Sequence, residues 1–147
     1  MPPLPTDSRI RFNFSGVSPS LTNRQVLKKF LAGIFKKEKT LFTGVDYIFC
    51  TDEQLLGINQ QFLHHDYYTD IISFNLAPKG SPVEGEIYIS VQRVLDNAGQ
   101  LQLPFKQEIH RVMFHGILHF CGYADKTATE QQRMRKREEF YLRQYFG

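Results

Sequence analysis

Four short segments have the apolar and polar pattern typical of strands: the first alternates with a period of two, and the last two are rich in Ile, Phe and Tyr. These segments are residues 9–14, 45–50, 71–76 and 86–90. A stretch containing proline and glycine, residues 77–85, separates the last two segments and supplies a turn. We therefore expect the last two strands to form an antiparallel pair.

Apolar stripes at helical spacing predict five helices between and after these strands. They cover roughly residues 22–38, 51–62, 91–98, 104–121 and 128–147. Three of the predicted helices begin with a capping box, in which a threonine is followed three residues later by Gln or Glu. These threonines are Thr22, Thr51 and Thr127. Ser90 is predicted to cap the third helix, Gly99 to end it, and Gly122 to end the fourth. Residues 63–70 are polar and aromatic without a period, which predicts a loop, and functional groups often lie on loops.

The composition predicts one globular domain. The chain has 147 residues, of which 41% are hydrophobic and 22% charged. Residues 1–8 include three prolines in the first five positions and predict a flexible N-terminus, so the domain spans residues 9–147. Since the sequence shows no secretory leader pattern and no apolar run long enough to cross a membrane, we expect a cytoplasmic protein that does not insert into a membrane. Cys50 and Cys121 are then expected to be buried, reduced thiols.

The formal net charge is +3, and the basic residues are clustered. They form an early group of Lys28, Lys29, Lys36, Lys37 and Lys39 and a late group of Arg133, Arg135, Lys136 and Arg137. Solvated helix faces explain most such clusters. An anionic partner is the alternative interpretation.

Two histidines on the fourth predicted helix are candidate metal ligands. His115 and His119 are four residues apart, which places both imidazoles on one face of the helix. Asp125 follows the expected stop at Gly122, where the chain can return its carboxylate to the histidines. Three protein ligands with one open position are typical of a catalytic zinc site. The alternative is a pair of helix histidines with ordinary hydrogen bonds, but this helix is otherwise strongly apolar, so their burial would lack compensation.

Neighbouring residues limit the chemistry of this site. A protease-type zinc helix carries a glutamate directly after its first histidine, and here Gly116 occupies that position. Cys121 points about 200° away from His119 around the helix, which favours a core thiol over a ligand. Glu108 lies seven residues before His115 on the same face, about 10 Å away along the axis. We take Glu108 as a catalytic candidate, an orienting group or base at the cleft edge, with a surface salt bridge as the alternative.

Three blocks of the sequence resemble the YbeY endoribonuclease family. The run His115–Tyr123, HGILHFCGY, resembles the family signature H-G-x-L-H-x-x-G-Y-D-H. The second block has three parts: Asn59-x-x-Phe62 resembles L-N-x-x-Y-R, Asp66 matches a family aspartate, and Thr69–Phe74 (TDIISF) resembles T-D-V-L-S-F. The third block, Gly85–Ser90 (GEIYIS), resembles G-D-I-x-I-S. They follow one another in the family's order over residues 55–125. On these residues the chain is identified as a member of the family.

The resemblance implies an α+β fold, with a mixed four-stranded sheet packed by about five helices and a zincin-like metal helix. It also implies a zinc-dependent endoribonuclease, with one Zn²⁺ per chain, that is directed at single-stranded RNA. Its implied role is 3′-end maturation of small-subunit (16S) ribosomal RNA and ribosome quality control. The implied partners are ribosomal RNA and the small ribosomal subunit with its assembly proteins.

The chain departs from the family pattern at two positions. Asp125 stands where the family has a third metal histidine, and oxygen is an acceptable zinc donor. Leu63 stands next to Phe62 in place of a functional arginine, and a leucine cannot stabilise charge on a phosphate. The candidates to replace that arginine are His64, His65 and Arg111, each of which is also compatible with an ordinary loop or surface role.

These departures leave alternatives to the nuclease. Leu63 motivates a ribosome-assembly factor whose metal is structural and whose nuclease activity is low. A hydrolase of peptides or small molecules rests only on analogy to zinc proteases. For the nuclease we expect RNA to contact the first and last helices, through Lys28, Lys29, Lys36, Lys37, Arg133 and Arg137. Tyr67 and Tyr68 are candidates for base stacking, with loop packing as their alternative role.

Overall fold

The computed structural model describes residues 6–147, and in that range four strands form one mixed sheet. The strands are β1 (Ile10–Phe14), β2 (Phe42–Cys50), β3 (Ile71–Asn75) and β4 (Val83–Ser90). Their spatial order is β1-β2-β4-β3, with β1 and β4 both parallel to β2 and with β3 antiparallel to β4. The expected antiparallel pair and the mixed four-stranded sheet are therefore confirmed.

Five helices accompany this sheet within the same range, and the last of them packs on the fourth helix. They are α1 (Arg24–Lys37), α2 (Asp52–Leu63), α3 (Val91–Leu101), α4 (Phe105–Phe120) and α5 (Ala128–Phe146). The main core lies on the face of α1, α4 and α5, where β2 contributes the fully buried side chains of Val45, Tyr47 and Phe49. A smaller cluster of Cys50, Leu55 and Ile72 lies under α2. The predicted α+β class is confirmed.

Most predicted helix ends are confirmed. Thr51 and Thr127 form complete capping boxes, and the Ser90 hydroxyl accepts a hydrogen bond from the Arg93 backbone N–H at 3.1 Å. Gly122 has a φ of +100° immediately after the last turn of α4, a conformation that favours glycine. Cys50 is buried, Cys121 is half-buried and both are free thiols, with pKa values that burial raises to about 11.

Two predicted ends were wrong. The capping box at Thr22 does not form, because Asn23 precedes α1 in a left-handed conformation and makes no side-chain cap. Gly99 does not stop α3, which continues to Leu101. Strands β2 and β4 also begin three residues earlier than the sequence indicated.

A hydrogen-bonded group ties the end of α1 to α5 and to the segment after α4. The Glu38 carboxylate accepts bonds from the Tyr123 hydroxyl at 2.8 Å, from the Arg137 guanidinium at 2.6 and 2.8 Å, and from the Tyr141 hydroxyl. Burial by itself would raise the pKa of Glu38, but the bonds from Tyr141, Arg137 and Tyr123 outweigh it and lower that pKa. These four residues are called the Glu38 cluster below.

The N-terminal segment is described only in part. Residues 1–5 of the predicted flexible stretch lie outside the described residues, and in the remainder the Asp7 carboxylate binds the Arg9 guanidinium at 2.7 Å. Across residues 6–147, none of the helices is both long enough and apolar enough to cross a bilayer.

Candidate metal centre

The last two turns of α4 carry both predicted histidines on one face. The ring centroids of His115 and His119 are 4.5 Å apart, and the rings are nearly perpendicular. Gly116 lies between them and faces the sheet, where a Cβ atom would be 2.8 Å from Ile87 Cδ1 and 3.2 Å from Ile71 Cδ1. The glycine therefore lets α4 approach β3 and β4 closely, and this approach places the histidines over the end of β3.

The segment between α4 and α5 returns a carboxylate to these histidines. The chain turns at Gly122, is held by Tyr123 in the Glu38 cluster, and enters α5 at the Thr127 cap. Between these fixed points, Asp125 Oδ2 lies 3.3 Å from the Nε2 atom of His115 and 3.3 Å from that of His119. One ligand atom from each of the three residues lies within 4.8 Å of the others.

The donor atoms fit a cation. His115 Nδ1 lies 2.6 Å from Glu138 Oε2, and since a carboxylate only accepts, Nδ1 carries the proton and donates it. In the neutral form of this ring, Nε2 is unprotonated and lies 3.3 Å from Asp125 Oδ2, so that two lone-pair atoms lie side by side. Burial lowers the pKa of His119, which favours the neutral imidazole that binds metals. Two imidazoles and a carboxylate suit zinc or a similar divalent ion.

Two polar pockets open beside these three residues. The first has a volume of about 270 Å³ and is lined by Thr69, Asp70, Ile71, Ser73, Arg111, Val112, His115, His119 and Asp125. The second has a volume of about 240 Å³ and is lined by Arg111, His115, Asp125, Gln131, Met134, Arg135 and Glu138. His115, Asp125 and Arg111 line both pockets, so the candidate metal site is accessible from two sides.

Arg111 is held beside the site by two buried carboxylates. Its Nε and Nη2 atoms each donate to Glu108 at 2.7 Å, and its Nη1 donates to Glu138 at 3.0 Å. The Arg111 side chain is 16% exposed. Glu108, expected at the cleft edge, is instead fully buried, and it lines neither pocket. Its ion pair with Arg111 is interior, whereas the sequence alternative was a surface salt bridge.

Two acidic residues at the site were not identified from the sequence. Asp70 lies at the wall of the first pocket, where burial raises its pKa although the positive charge of Arg111 opposes the shift. It belongs to the TDIISF block, which is the one sequence signal that pointed there. Glu138 is 1% exposed and belongs to a charged stretch of α5 that gave no such signal.

The predicted functional loop contributes mainly through its last two residues. Thr69 and Asp70 line the first pocket, whereas Leu63, His64 and His65 line neither pocket. The His65 ring stacks on Tyr67 and binds its hydroxyl at 2.9 Å. The hydroxyl of Tyr68 donates to Glu53 at 2.7 Å, and both tyrosine rings are exposed. Of the three candidates to replace the family arginine, Arg111 is the one at the metal site.

Fold and site together define an α+β protein with an open candidate metal site, formed by two histidines of one helix and an aspartate of the following turn, an arrangement typical of metal-dependent hydrolases. Comparison with known proteins agrees with this class. The family model described as "Endoribonuclease YbeY" matches residues 15–146. The chain belongs to this family, as its sequence blocks indicated.

Individual relatives give the same result. A protein of Cytophaga hutchinsonii, named "Endoribonuclease YbeY", is 47% identical over 122 residues, which cover 83% of this chain and 85% of that protein. A Flavobacterium johnsoniae protein of the same name is 42% identical over 130 residues, covering 88% and 92%. The solution structure of TM1509 from Thermotoga maritima matches with a TM-score of 0.64 at 30% identity, covering 90% of this chain and 86% of that one.

Proposed function

We propose that this chain is a zinc-dependent endoribonuclease that cleaves single-stranded RNA in the cytoplasm. Its substrate is the precursor of small-subunit ribosomal RNA, which it trims at the 3′ end, and it takes part in ribosome quality control together with subunit assembly proteins. The observation that carries the proposal is the convergence of His115, His119 and Asp125 between two polar pockets. The reaction is that named for the relatives, and the ribosomal role follows from the family resemblance.

His115, His119 and Asp125 would hold one zinc ion per chain. When bound, such an ion supplies Lewis-acid chemistry, which polarises a phosphodiester and activates water at neutral pH. The chain itself positions the RNA. Arg111 has five N–H donors, of which the carboxylates of Glu108 and Glu138 engage three, so two remain for phosphate oxygens. Arg111 thereby takes the place of the family arginine that is missing at Leu63.

Asp70 is proposed as the proton acceptor. Its carboxylate lies at the wall of the pocket that also contains both histidines. Because burial raises its pKa, it is a stronger base than a surface aspartate. Glu108 is engaged on both oxygens by Arg111, so its role is to orient that arginine and not to take a proton.

The test is cleavage of labelled RNA by the purified, zinc-loaded protein. We expect single strands to be cut and duplexes to be spared, and a precursor with an extended small-subunit 3′ end to be cut at the mature end. His119→Ala and Asp70→Asn should each lower the rate by about 10²-fold or more. Lys79→Glu, in the exposed turn between β3 and β4, is the control and should retain the rate.

Two outcomes separate the alternatives. Undiminished cleavage by His119→Ala would contradict the metal-dependent mechanism. A zinc-loaded protein that binds small subunits but never cleaves RNA would instead identify an assembly factor with a structural metal, which is the function that Leu63 favours.

A further inference from the structure

Glu138 is an unusual residue because its carboxylate is almost completely buried. The residue is 1% exposed and lies on α5, one helix away from the metal ligands. Burying a carboxylate is costly unless charges and hydrogen bonds compensate it. Both oxygens are compensated here: Oε2 accepts from His115 Nδ1 at 2.6 Å, and Oε1 accepts from Arg111 Nη1 at 3.0 Å. The carboxylate thus joins a candidate metal ligand to a buried cation.

We propose that Glu138 is a positioning residue that keeps the proton of His115 on Nδ1 and thereby presents Nε2 to the metal. This inference rests on the proposed function only in taking His115 as a ligand. A neutral imidazole carries one proton, and the hydrogen bond made by one ring nitrogen decides which nitrogen holds it. Since a carboxylate cannot donate, its contact with Nδ1 fixes the proton there.

The same contact prevents a hydrogen bond between His115 and Asp125 that would compete with metal binding. Asp125 Oδ2 lies 3.3 Å from His115 Nε2. If Nε2 carried the proton, it would donate to Asp125, and two of the three ligand atoms would be engaged with each other. With Glu138 in place, the Nε2 atom of the neutral ring and the Asp125 oxygen both keep lone pairs that a divalent ion would accept.

Arg111 keeps Glu138 in this role. Glu108, Arg111 and His115 lie at positions i, i+3 and i+7 of α4 and so share one face of the helix. Glu108 engages the Nε and Nη2 atoms of Arg111, which leaves Nη1 to bind Glu138. Glu108, Arg111, Glu138 and His115 thus form a hydrogen-bonded chain in which negative, positive and negative side chains precede the His115 ring. Three of these residues belong to α4, and Glu138 belongs to α5. Because α5 supplies that member, correct packing of α5 on α4 becomes a condition for the site.

Glu138→Gln gives a sharp test because the amide has one acceptor and one donor. Arg111 donates, so it takes the amide oxygen, and the amide N–H₂ then faces His115 Nδ1. A donor at that place favours the other tautomer, with the proton on Nε2. Zinc affinity, measured by competition with a chromophoric chelator, should fall about 10–100-fold. Glu139→Gln, the exposed neighbour on the same helix, is the matched control and should bind zinc like the parent.

The tautomer itself is measured by ¹⁵N NMR of the metal-free protein, with His119 as the internal reference. We expect His115 to be protonated at Nδ1 in the parent and at Nε2 in Glu138→Gln. An Nε2-protonated His115 in the parent would overturn the inference even if the variant failed to fold. Unchanged tautomer and affinity in a folded variant would also overturn it. Neither readout uses RNA, so a protein without nuclease activity that shows both effects still supports the role of Glu138.

Discussion

At the scale of single residues, the candidate metal site differs from the family pattern at Asp125, where a carboxylate stands in place of a histidine. The Oδ2 atom of this carboxylate is 3.3 Å from the Nε2 atoms of both His115 and His119. We expect elemental analysis to find about one metal ion per chain and to show a sharp decrease in His115→Ala and in His119→Ala. Asp125→Asn should weaken binding because the ligand loses its charge, whereas Asp125→His should retain or strengthen it. Full metal retention in both alanine variants would contradict the site.

The residues of the site differ in how well the sequence predicted them. His115, His119 and Asp125 were identified because their arrangement is local, set by one helix and the turn after it. Asp70 and Glu138 reach the site from a loop and from another helix, and sequence spacing does not encode such contacts. Glu108 was predicted on the correct face of α4, but its burial depends on Arg111 and the packing around it.

Gly116 occupies a position where the packing of α4 on the sheet leaves little room for a side chain. The sequence showed that the glutamate of zinc proteases is missing after His115. In the structure, even a Cβ atom at this position would be 2.8 Å from Ile87. A glutamate base at this position would thus require Ile87 and Ile71 to move, so the close packing of α4 on the sheet favours the glycine.

At the scale of helices and strands, sequence patterns predicted a helix start correctly where hydrogen bonds between neighbouring residues determine it. The capping boxes at Thr51 and Thr127 bond entirely within four residues, and both formed. The same pattern at Thr22 failed because α1 begins at Arg24, with Asn23 accepting the first helical bond from Leu27. The parallel pairing of β2 with β1 and β4 was not predicted from alternation, since strand order is set by contacts distant in sequence.

The Glu38 cluster gives a prediction about how these elements are held together. It joins α1 and α5 to the segment that carries Asp125, so Glu38→Gln should lower the free energy of unfolding by about 1–3 kcal/mol. The bonded carboxylate has a lowered pKa in the folded protein, so its stabilisation is present above the ordinary pKa of glutamate, about 4.3. That stabilisation is lost as the pH falls from there through the lowered value.

Urea unfolding at several pH values measures this effect. The difference in stability between the parent and Glu38→Gln should be largest near neutral pH and should shrink below about pH 4. Glu139→Gln, which is exposed, should follow the parent throughout. A difference that is independent of pH would show that the charge of Glu38 does not stabilise the fold.

At the scale of the whole molecule, positive charge is distributed differently from our expectation. The pockets at the metal site are lined by Arg111 and Arg135, and no α1 lysine among the described residues lines either one. Arg137, expected to contact RNA, is engaged by Glu38. The lysines of α1 can therefore contact only nucleotides that extend beyond the pockets, whereas Arg135 can contact a phosphate next to the metal site.

Binding of single-stranded RNA should accordingly weaken steeply with salt, by a slope of about −0.7 per phosphate contact. Arg135→Gln should weaken RNA binding and make the salt dependence less steep by about one phosphate contact, with metal content unchanged. Changing Lys28, Lys29, Lys36 and Lys37 together to glutamate should weaken binding to long strands more than to short ones. Lys79→Glu is the control, and affinity that does not respond to salt would contradict the electrostatic part of the proposal.

The strand order also affects how the chain completes its fold during synthesis. Strand β2 takes a central place in the sheet, but its partner β4 begins 33 residues after β2 ends. At about 5–20 residues per second, those residues need about 2–7 seconds to be made. Throughout that interval one edge of β2 has unpaired backbone N–H and C=O groups, and such edges pair readily with other chains. The nascent protein is therefore most prone to aggregation after residue 50 and before residue 90.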